Sequence, residues 1–458
     1  MQKIKDKLLE FQVQHVDNLV RIITNNNSVA DMSDTGTGKT YTAIAACSIL
    51  KLRPIIICPK SVISTWKRVC KLFNINPYFV VNYETAILCK YYDDNNNRIL
   101  CPYIIKNKNY NKKQNNNNNN AISKYQWINI DENIIFIYDE VHRASNINTH
   151  NGNLLFASKL TQKPIIMLSA TIADMPDKFR LFFWILNFIE NKNINYNEYM
   201  YRIHKWLARS NNQMLAIHNM LYPNRATRMR IDALGDLFPE TQITAEAYNM
   251  GKTREIEIEK QYKIISSFLD DLADKQIKDK ANILVRILRA HQKIELLKVP
   301  TFVELANDYM DAKMNVVIFV NFTQTLKLLQ KLLHTDSIIY GKQDGSTREN
   351  IINAFNDNKT NIVICNIKAG GVGISLHDIH GMHPRASIIS PPWSSIELVQ
   401  ALGRVHRAGS KSKSLQRIIY TANTIEDKIA DKLRTKIKNM NNLNDGGLKD
   451  LLSSVLNK

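Results

Sequence analysis

Ser33-Asp34-Thr35-Gly36-Thr37-Gly38-Lys39-Thr40 follows the short apolar run Ser28-Val29-Ala30 and leads into the helix-forming segment Tyr41-Thr42-Ala43-Ile44-Ala45-Ala46. A strand, a glycine-bearing loop and a helix N-terminus in that order make a cradle for phosphate. Backbone N–H groups and the helix dipole face the anion, Lys39 adds a point charge, and Thr40 offers a hydroxyl to Mg²⁺. Ser33 stands where such loops usually carry Gly, and a plain turn before a helix would read the same way. The blocks downstream decide between the two.

The chain has 458 residues, 44% of them hydrophobic, enough to bury the cores of two or three domains. A net charge of +19 and a pI near 9.5 favour a polyanionic partner, nucleic acid above all. The abundance of Asn, Lys and Ile would raise the charge through composition alone. Six cysteines form no C-x-x-C pair and read as reduced, buried thiols, without disulfides or a zinc site. Met1 to Asp6 lacks the apolar core of a signal peptide, and no run reaches membrane-span length, so a soluble, intracellular protein without a membrane partner is expected.

Ahead of the loop, Leu8 to Val16 has the pattern of a short amphipathic helix. The amide of Gln12 suits the edge of adenine, although by itself it reads as a surface position. Pro54 to Cys58 is an unbroken run of the kind found in buried parallel strands. Pro59, Lys60 and Ser61 follow it at a helix start, where they can hold a backbone phosphate; Trp66 reads as packing. From Asp93 to Asn120 the chain is Asn- and Lys-rich and is expected to be a mobile loop. The strand Asn133 to Tyr138 ends in Asp139-Glu140-Val141-His142. Two carboxylates at a strand tip are costly unless they serve a cation, which assigns Asp139 to Mg²⁺ and Glu140 to general-base work. Pro164 to Leu168 ends in Ser169-Ala170-Thr171, whose hydroxyls can bond the acidic pair and sense a γ-phosphate. Loop, acid pair and hydroxyls all sit at strand C-termini, where ligands bind in open α/β sheets.

Residues 172–309 read as mostly helical. Arg225 to Arg230 form a basic knot suited to phosphates or to solvent, and Thr301 with Glu304 suggests a capping box. Strand patterns resume at Asn315, Ser337, Asn361, Ser387 and Arg417, each separated by helix or loop, which predicts a second α/β sheet. Lys368 to Leu376 is glycine-rich, so a ligand can approach its backbone closely. Gln400, Arg404 and Arg407 are three to four residues apart, which predicts one shared helix face. Two guanidiniums there can reach a γ-phosphate, Arg407 as an arginine finger, or grip nucleic acid.

Taken in order, these blocks resemble the motor of the superfamily-two helicases, and within it the Swi/Snf-like translocases on double-stranded DNA. Phe11-Gln12 resembles the Q motif, Ser33 to Thr40 motif I, Cys58 to Trp66 the Swi/Snf form of motif Ia, and Asp139 to His142 motif II. Ala369 to Leu376 is similar to motif V, Gln400 to Gly409 to motif VI, Pro392-Trp393 to the Trp-Asn-Pro turn, and Thr424-Ile425-Glu426 to the threonine–isoleucine–glutamate ending. Ser169-Ala170-Thr171 has the general helicase form, and Ser375 and Ser410 depart from the Swi/Snf pattern. The Asn-rich character and size point within the family to a giant-virus helicase.

The resemblance implies an α/β fold of two tandem RecA-like lobes, over 1–225 and 301–440, with a helical inter-lobe region over 226–300 and a short tail over 441–458. ATP would be held by Gln12, by the loop from Ser33 through Thr40, and by Gly373. Mg²⁺ would rest on Thr40 and Asp139, and catalysis would use Lys39, Asp139, Glu140, Gln400, Arg404 and Arg407. Ser169, Thr171 and His142 would couple the site to movement. Pro59, Lys60, Ser61, Lys368, Gly370, Gly371 and Trp393 would meet nucleic acid, DNA in preference to RNA. An RNA helicase of the DEAD or DEAH kind and a catalytically silent scaffold are the rival readings.

Overall fold

The computed structural model describes residues 2–107, 123–230 apart from 171, 174, 190–194 and 211, and 241–426 apart from 274–279, 342, 371–373, 393, 408, 423 and 425. The chain forms two compact units, one through residue 230 and the other over 241–426.

The first unit is a six-stranded, all-parallel sheet. Its strands are β1 (Ser28–Asp31), β2 (Arg53–Cys58), β3 (Phe79–Asn82), β4 (Ile134–Asp139), β5 (Ile165–Leu168) and β6 (Ala226–Thr227), in the spatial order β6-β1-β5-β4-β2-β3. Parallel strands need covered faces, which is why these runs are apolar throughout instead of alternating. Successive residues still part to opposite sides. Ile55, Ile57, Phe136 and Tyr138 enter one core with Leu154, Phe156 and Phe182. Ile56, Cys58, Ile135 and Ile137 enter the other, beneath α1 (Glu10–Asn26), α2 (Lys39–Leu50) and α3 (Ile63–Leu72). The registers place Asp31 beside Leu168 and Asp139 beside Leu168, so the tips of β1, β5 and β4 are level. That alignment brings the glycine-bearing loop and the acidic pair to one end of the sheet.

The second unit repeats the plan with β7 (Thr241–Tyr248), β8 (Asn315–Val320), β9 (Ile338–Ile339), β10 (Ile362–Asn366), β11 (Arg385–Ile389) and β12 (Ser414–Thr421), again all parallel, in the order β7-β12-β11-β8-β10-β9. Two long helices, α4 (Lys252–Ala273) and α5 (Lys280–Leu297), pack on each other. Their Ile258, Tyr262, Ile265, Ile287 and Ile294 join the same core as Val316, Ile318 and Ile388. The six cysteines are buried and unpaired.

Three expectations change. Residues 226–300, read as a helical region between lobes, begin with β6 in the first sheet and β7 at the edge of the second; only α4 and α5 are the expected helices. A two-residue edge strand carries too little periodicity to be seen in sequence. The stretch 93–120, read as a mobile loop, contains short antiparallel ladders at its described end, 90–92 with 98–100 and 104–106 with 125–127. Aromatic contacts hold them: Phe79 lies 5.6 Å from Tyr91 and 6.1 Å from Tyr103, and Trp127 lies 4.8 Å from Phe136. The Asn115 to Asn120 run itself lies outside the described residues. Finally, α6 spans Val299–Asp311, so Thr301 is inside the helix and Pro300 occupies its first turn, where a missing N–H costs nothing.

Candidate ATP site and the second-unit arginines

The loop between β1 and α2 is built around two left-handed glycines, Gly36 at φ 88° and Gly38 at φ 90°, the latter capping α2. A Cβ at Gly38 would fall 2.3 Å from Gln12 Nε2. That contact explains Gln12, which is only 4% exposed: its amide donates to Thr37 O at 2.9 Å, and its Oε1 accepts from Leu9 N at 3.0 Å. The surface position expected for Gln12 in isolation is therefore corrected, because the α1 N-terminus leans on the loop. Lys39 opens α2 and donates to Ser33 O (2.7 Å) and Asp34 O (3.1 Å). Burial pulls its ammonium below the ordinary value against the attraction of Asp31, Glu140, Asp139 and Asp34. Thr40 is half-buried in the first turn of the same helix.

Beneath the loop lies a buried polar network that the sequence reading missed. Asp31 is fully buried and accepts from His15 Nε2 (3.0 Å) and from Ser33 N (3.0 Å). Burial works against its charge, yet His15, Lys39 and Ser33 hold its carboxyl below the ordinary value. Ser33 Oγ also accepts Met229 N at 2.8 Å, tying the loop to the chain after β6. Serine in the first loop position thus has a use that glycine could not serve. Asp34 is gripped by Arg228, whose Nε and Nη2 approach Oδ1 at 3.1 and 2.6 Å. Arg225 holds the carbonyls of Leu186 and Asn187. The basic knot is therefore in large part internal bracing.

Across the sheet end, Asp139 accepts from the indole N–H of Trp66 at 2.9 Å, and its backbone carbonyl accepts from Tyr83 OH at 2.9 Å. Trp66 is fully buried, so it packs as expected, but it also orients the carboxylate. Burial and the adjacent Glu140 raise the Asp139 carboxyl to about 6, with Trp66 and Lys39 opposing. Glu140 adopts a left-handed backbone, φ 53° and ψ 51°, a conformation that costs a non-glycine residue about 1–2 kcal/mol. His142 Nδ1 lies 3.4 Å from Glu140 Oε2 and 3.2 Å from Ser169 Oγ, so Ser169 reaches the acidic pair through the imidazole. Thr171 lies outside the described residues. Pro59 is buried, Lys60 is exposed and Ser61 is half-buried, all at the mouth of α3.

The donor set suits a nucleotide phosphate and a divalent cation. An ammonium, helix-terminal N–H groups and left-handed glycines face the anion, while two adjacent carboxylates and a hydroxyl make a hard, oxygen-only partner for Mg²⁺. Among the described residues no group of three or more His, Cys, Asp or Glu could hold a metal by itself, and a cation shared with substrate phosphates needs no such cage.

In the second unit, the helix carrying Gln400 stops early. α7 spans Ser395–Leu402 with Gly403 at its cap, so Gln400, Arg404 and Arg407 do not share a helix face as expected. Arg404 is 2% exposed and donates to Gln400 O (2.9 Å) and Ile374 O (3.2 Å). Arg407 donates to Ser375 Oγ and approaches Ile374 O at 3.4 Å. Both arginines thus turn onto the end of the glycine-rich stretch, at Ile374 and Ser375, a contact between chain positions some thirty residues apart that spacing could not reveal. Lys368 is exposed, and Gly370 ends the single turn Ile367–Gly370. Gly371, Gly373 and Trp393 lie outside the described residues.

The chain matches the family described as "Type III restriction enzyme, res subunit" over residues 5–174 and "Helicase conserved C-terminal domain" over residues 298–409. It is 38% identical over 465 residues to a "Putative ATP-dependent RNA helicase" of Acanthamoeba polyphaga mimivirus, covering 96% of this chain and 84% of that one. The chain belongs to the superfamily-two helicases. This helicase-type chain is a nucleic-acid-dependent ATPase with two parallel α/β units. It is also 35% identical over 120 residues to the human DNA repair and recombination protein RAD54B, and 24% identical over 336 residues to the CHD3-type chromatin-remodelling factor CHR7 of Arabidopsis thaliana. It spans only 13% and 26% of those two proteins, against 25% and 66% of itself. Among solved structures, the Sulfolobus solfataricus SWI2/SNF2 ATPase core in complex with double-stranded DNA aligns over 98% of this helicase and 96% of that chain, at 17% identity and TM-score 0.36. Dbp5 of S. cerevisiae bound to RNA aligns over 94% and 89%, at 12% identity and TM-score 0.46. No helix among the described residues is long and apolar enough to cross a membrane.

Proposed function

We propose that this ATPase couples hydrolysis of ATP·Mg²⁺ to movement along double-stranded DNA. The hydrogen bond from Trp66 to Asp139 carries the reading, because it ties the tryptophan of the Swi/Snf-type motif Ia pattern to the acid that would hold the cation. Lys39 and the N-terminus of α2 would take the phosphates, Thr40 and Asp139 the Mg²⁺, and Gln12 the adenine edge of the loop. Mg²⁺, when bound, neutralises phosphate charge and orients the transferring group. Glu140 then takes a proton from the attacking water, with His142 and Ser169 steadying its carboxylate. Gln400, Arg404 and Arg407 are assigned to hydrolysis from the second unit. Lys60, Ser61 and Lys368 are assigned to the nucleic-acid backbone, a grip that should be salt-dependent and indifferent to sequence.

One observation favours RNA instead: the mimivirus relative, alike over nearly the whole chain, is named as an RNA helicase. ATPase rates with duplex DNA, single-stranded DNA and RNA side by side separate the readings. Strongest stimulation by duplex DNA is expected, and strongest stimulation by RNA sinks the translocase reading. Lys39→Ala and Glu140→Gln should each remove the stimulated activity while the fold persists.

A further inference from the structure

Glu295, on α5, is 1% exposed, and the proposed hydrolysis does not use it. Its carboxylate accepts from Asn321 N (2.6 Å), Asn321 Nδ2 (2.9 Å) and Phe322 N (3.1 Å). One turn earlier on α5, His291 sets its ring edge-on to Phe322, with centroids 5.3 Å apart. Asn321 and Phe322 follow the tip of β8 and lead into the helix Thr323–Leu332, whose N-cap side chain makes no capping bond. From Asn321 the bonds spread along the strand tips. Its Nδ2 also donates to Ser390 Oγ (3.2 Å) and Pro391 O (3.3 Å) after β11, and its carbonyl accepts from Asn366 Nδ2 (2.9 Å) at the end of β10. Asn366 Oδ1 in turn accepts from the backbone N–H of Lys368 (3.2 Å), whose side chain is exposed. Since β11, β8 and β10 are neighbours in the sheet, one buried acid anchors three adjacent tips. The cavity beside it measures about 10 Å³, the lower limit for a single water. It has no room for a substrate, so the acid acts through what it holds.

We propose that Glu295 is a positioning residue for the nucleic-acid grip of the second unit, acting through Asn321 and Asn366 on Lys368. The inference rests on the assignment of Lys368 to the nucleic-acid backbone. Two planar amides in series make the connection. The peptide between Asn321 and Phe322 is held at both ends, its N–H by Glu295 and its C=O by Asn366. The side-chain amide of Asn366 is likewise held at both ends, by that carbonyl and by the N–H of Lys368. A peptide that rotates away from Glu295 therefore also leaves Asn366, and the turn Ile367–Gly370 loses its anchor. Three N–H donors converge on Glu295, which an acceptor-only carboxylate satisfies and a glutamine amide does not. In Glu295→Gln an NH₂ group faces one of those donors, and the peptide has to turn. Lys368 keeps its charge there, but its turn is no longer fixed before the strand arrives, and ordering it on binding lowers affinity.

The test is fluorescence anisotropy of the full chain with labelled duplex DNA and labelled single-stranded RNA, at several salt concentrations, scored on whichever binds more tightly. Lys368→Ala should weaken binding fivefold or more and flatten the salt slope by about one. Glu295→Gln should do the same, while its affinity for a fluorescent ADP stays within twofold of wild type. Added to Lys368→Ala, Glu295→Gln should weaken binding no more than twofold further. Unchanged affinity in Lys368→Ala removes the assignment beneath the proposal and overturns both. Weakened binding in Lys368→Ala but not in Glu295→Gln overturns the positioning role alone, and a lower denaturant midpoint would then mark Glu295 as a helix cap. A full fivefold loss on top of Lys368→Ala also overturns the route. Where circular dichroism shows Glu295→Gln unfolded, Asn366→Ala, at a half-buried site, takes its place with the same expected values and the same refuting ones.

Discussion

Replacing Trp66 with Phe removes the indole N–H and shortens the ring system of a fully buried side chain. The benzyl ring keeps most of the apolar contact of a fully buried side chain with Val69, Ile56 and their neighbours, so stability should fall by less than the ~3–5 kcal/mol of a Trp→Ala truncation. What is lost is the 2.9 Å bond to Asp139 Oδ2, a hydrogen bond to a charged acceptor worth about 1.5–3 kcal/mol. Burial and Glu140 already oppose the charge on that carboxylate, so no spare stabilisation replaces it. If the bond orients and keeps charged the acid that holds Mg²⁺, the Mg²⁺ concentration for half-maximal ATPase should rise by roughly 10- to 100-fold. The assay is polynucleotide-stimulated ATPase against Mg²⁺, paired with denaturant unfolding of the same protein. A Mg²⁺ midpoint within twofold of wild type, alongside a loss of stability, would falsify the positioning role and leave Trp66 as packing alone.

Gly38→Ala forces a Cβ into Gln12 Nε2 at a left-handed backbone, so nucleotide affinity should drop at least tenfold in a fluorescent-ADP titration, with the melting temperature lowered by a few degrees. Lys298→Met strands Glu426, which is 3% exposed and otherwise bonded to Tyr262 OH and Thr421 N; unfolding of the second unit should cost about 3–5 kcal/mol less, and an unchanged denaturant midpoint would argue against the ion pair. Burial, with the charge of Lys298, depresses His291 to about 3. Between that value and the ordinary 6.5 only the unfolded chain takes the proton, so stability is complete above pH 6.5 and declines as pH falls, by roughly 2 kcal/mol at pH 5. A His291→Gln variant should lose that part of the slope in unfolding curves taken from pH 7 to 5.

What the chain could announce by itself was whatever is local. An unbroken β-branched run marks a strand covered on both faces, two glycines before a lysine mark a phosphate loop, and paired acids at a strand tip mark a cation. Those signals place Gly36 to Thr40 and Asp139-Glu140 without any partner being known, and the parallel sheet then brings them to one end. Tertiary structure decided the pairings. Trp66 finds Asp139 across 73 residues, and Asp34 finds Arg228 across 194. Periodicity tells which face of an element is buried, but not which distant donor will meet a given carboxylate there. The same gap misplaced Arg404 and Arg407: their spacing suits a helix, but α7 ends at Leu402. Beyond that end, long-range hydrogen bonds to Ile374 and Ser375, rather than helical repeat, set where the guanidiniums point.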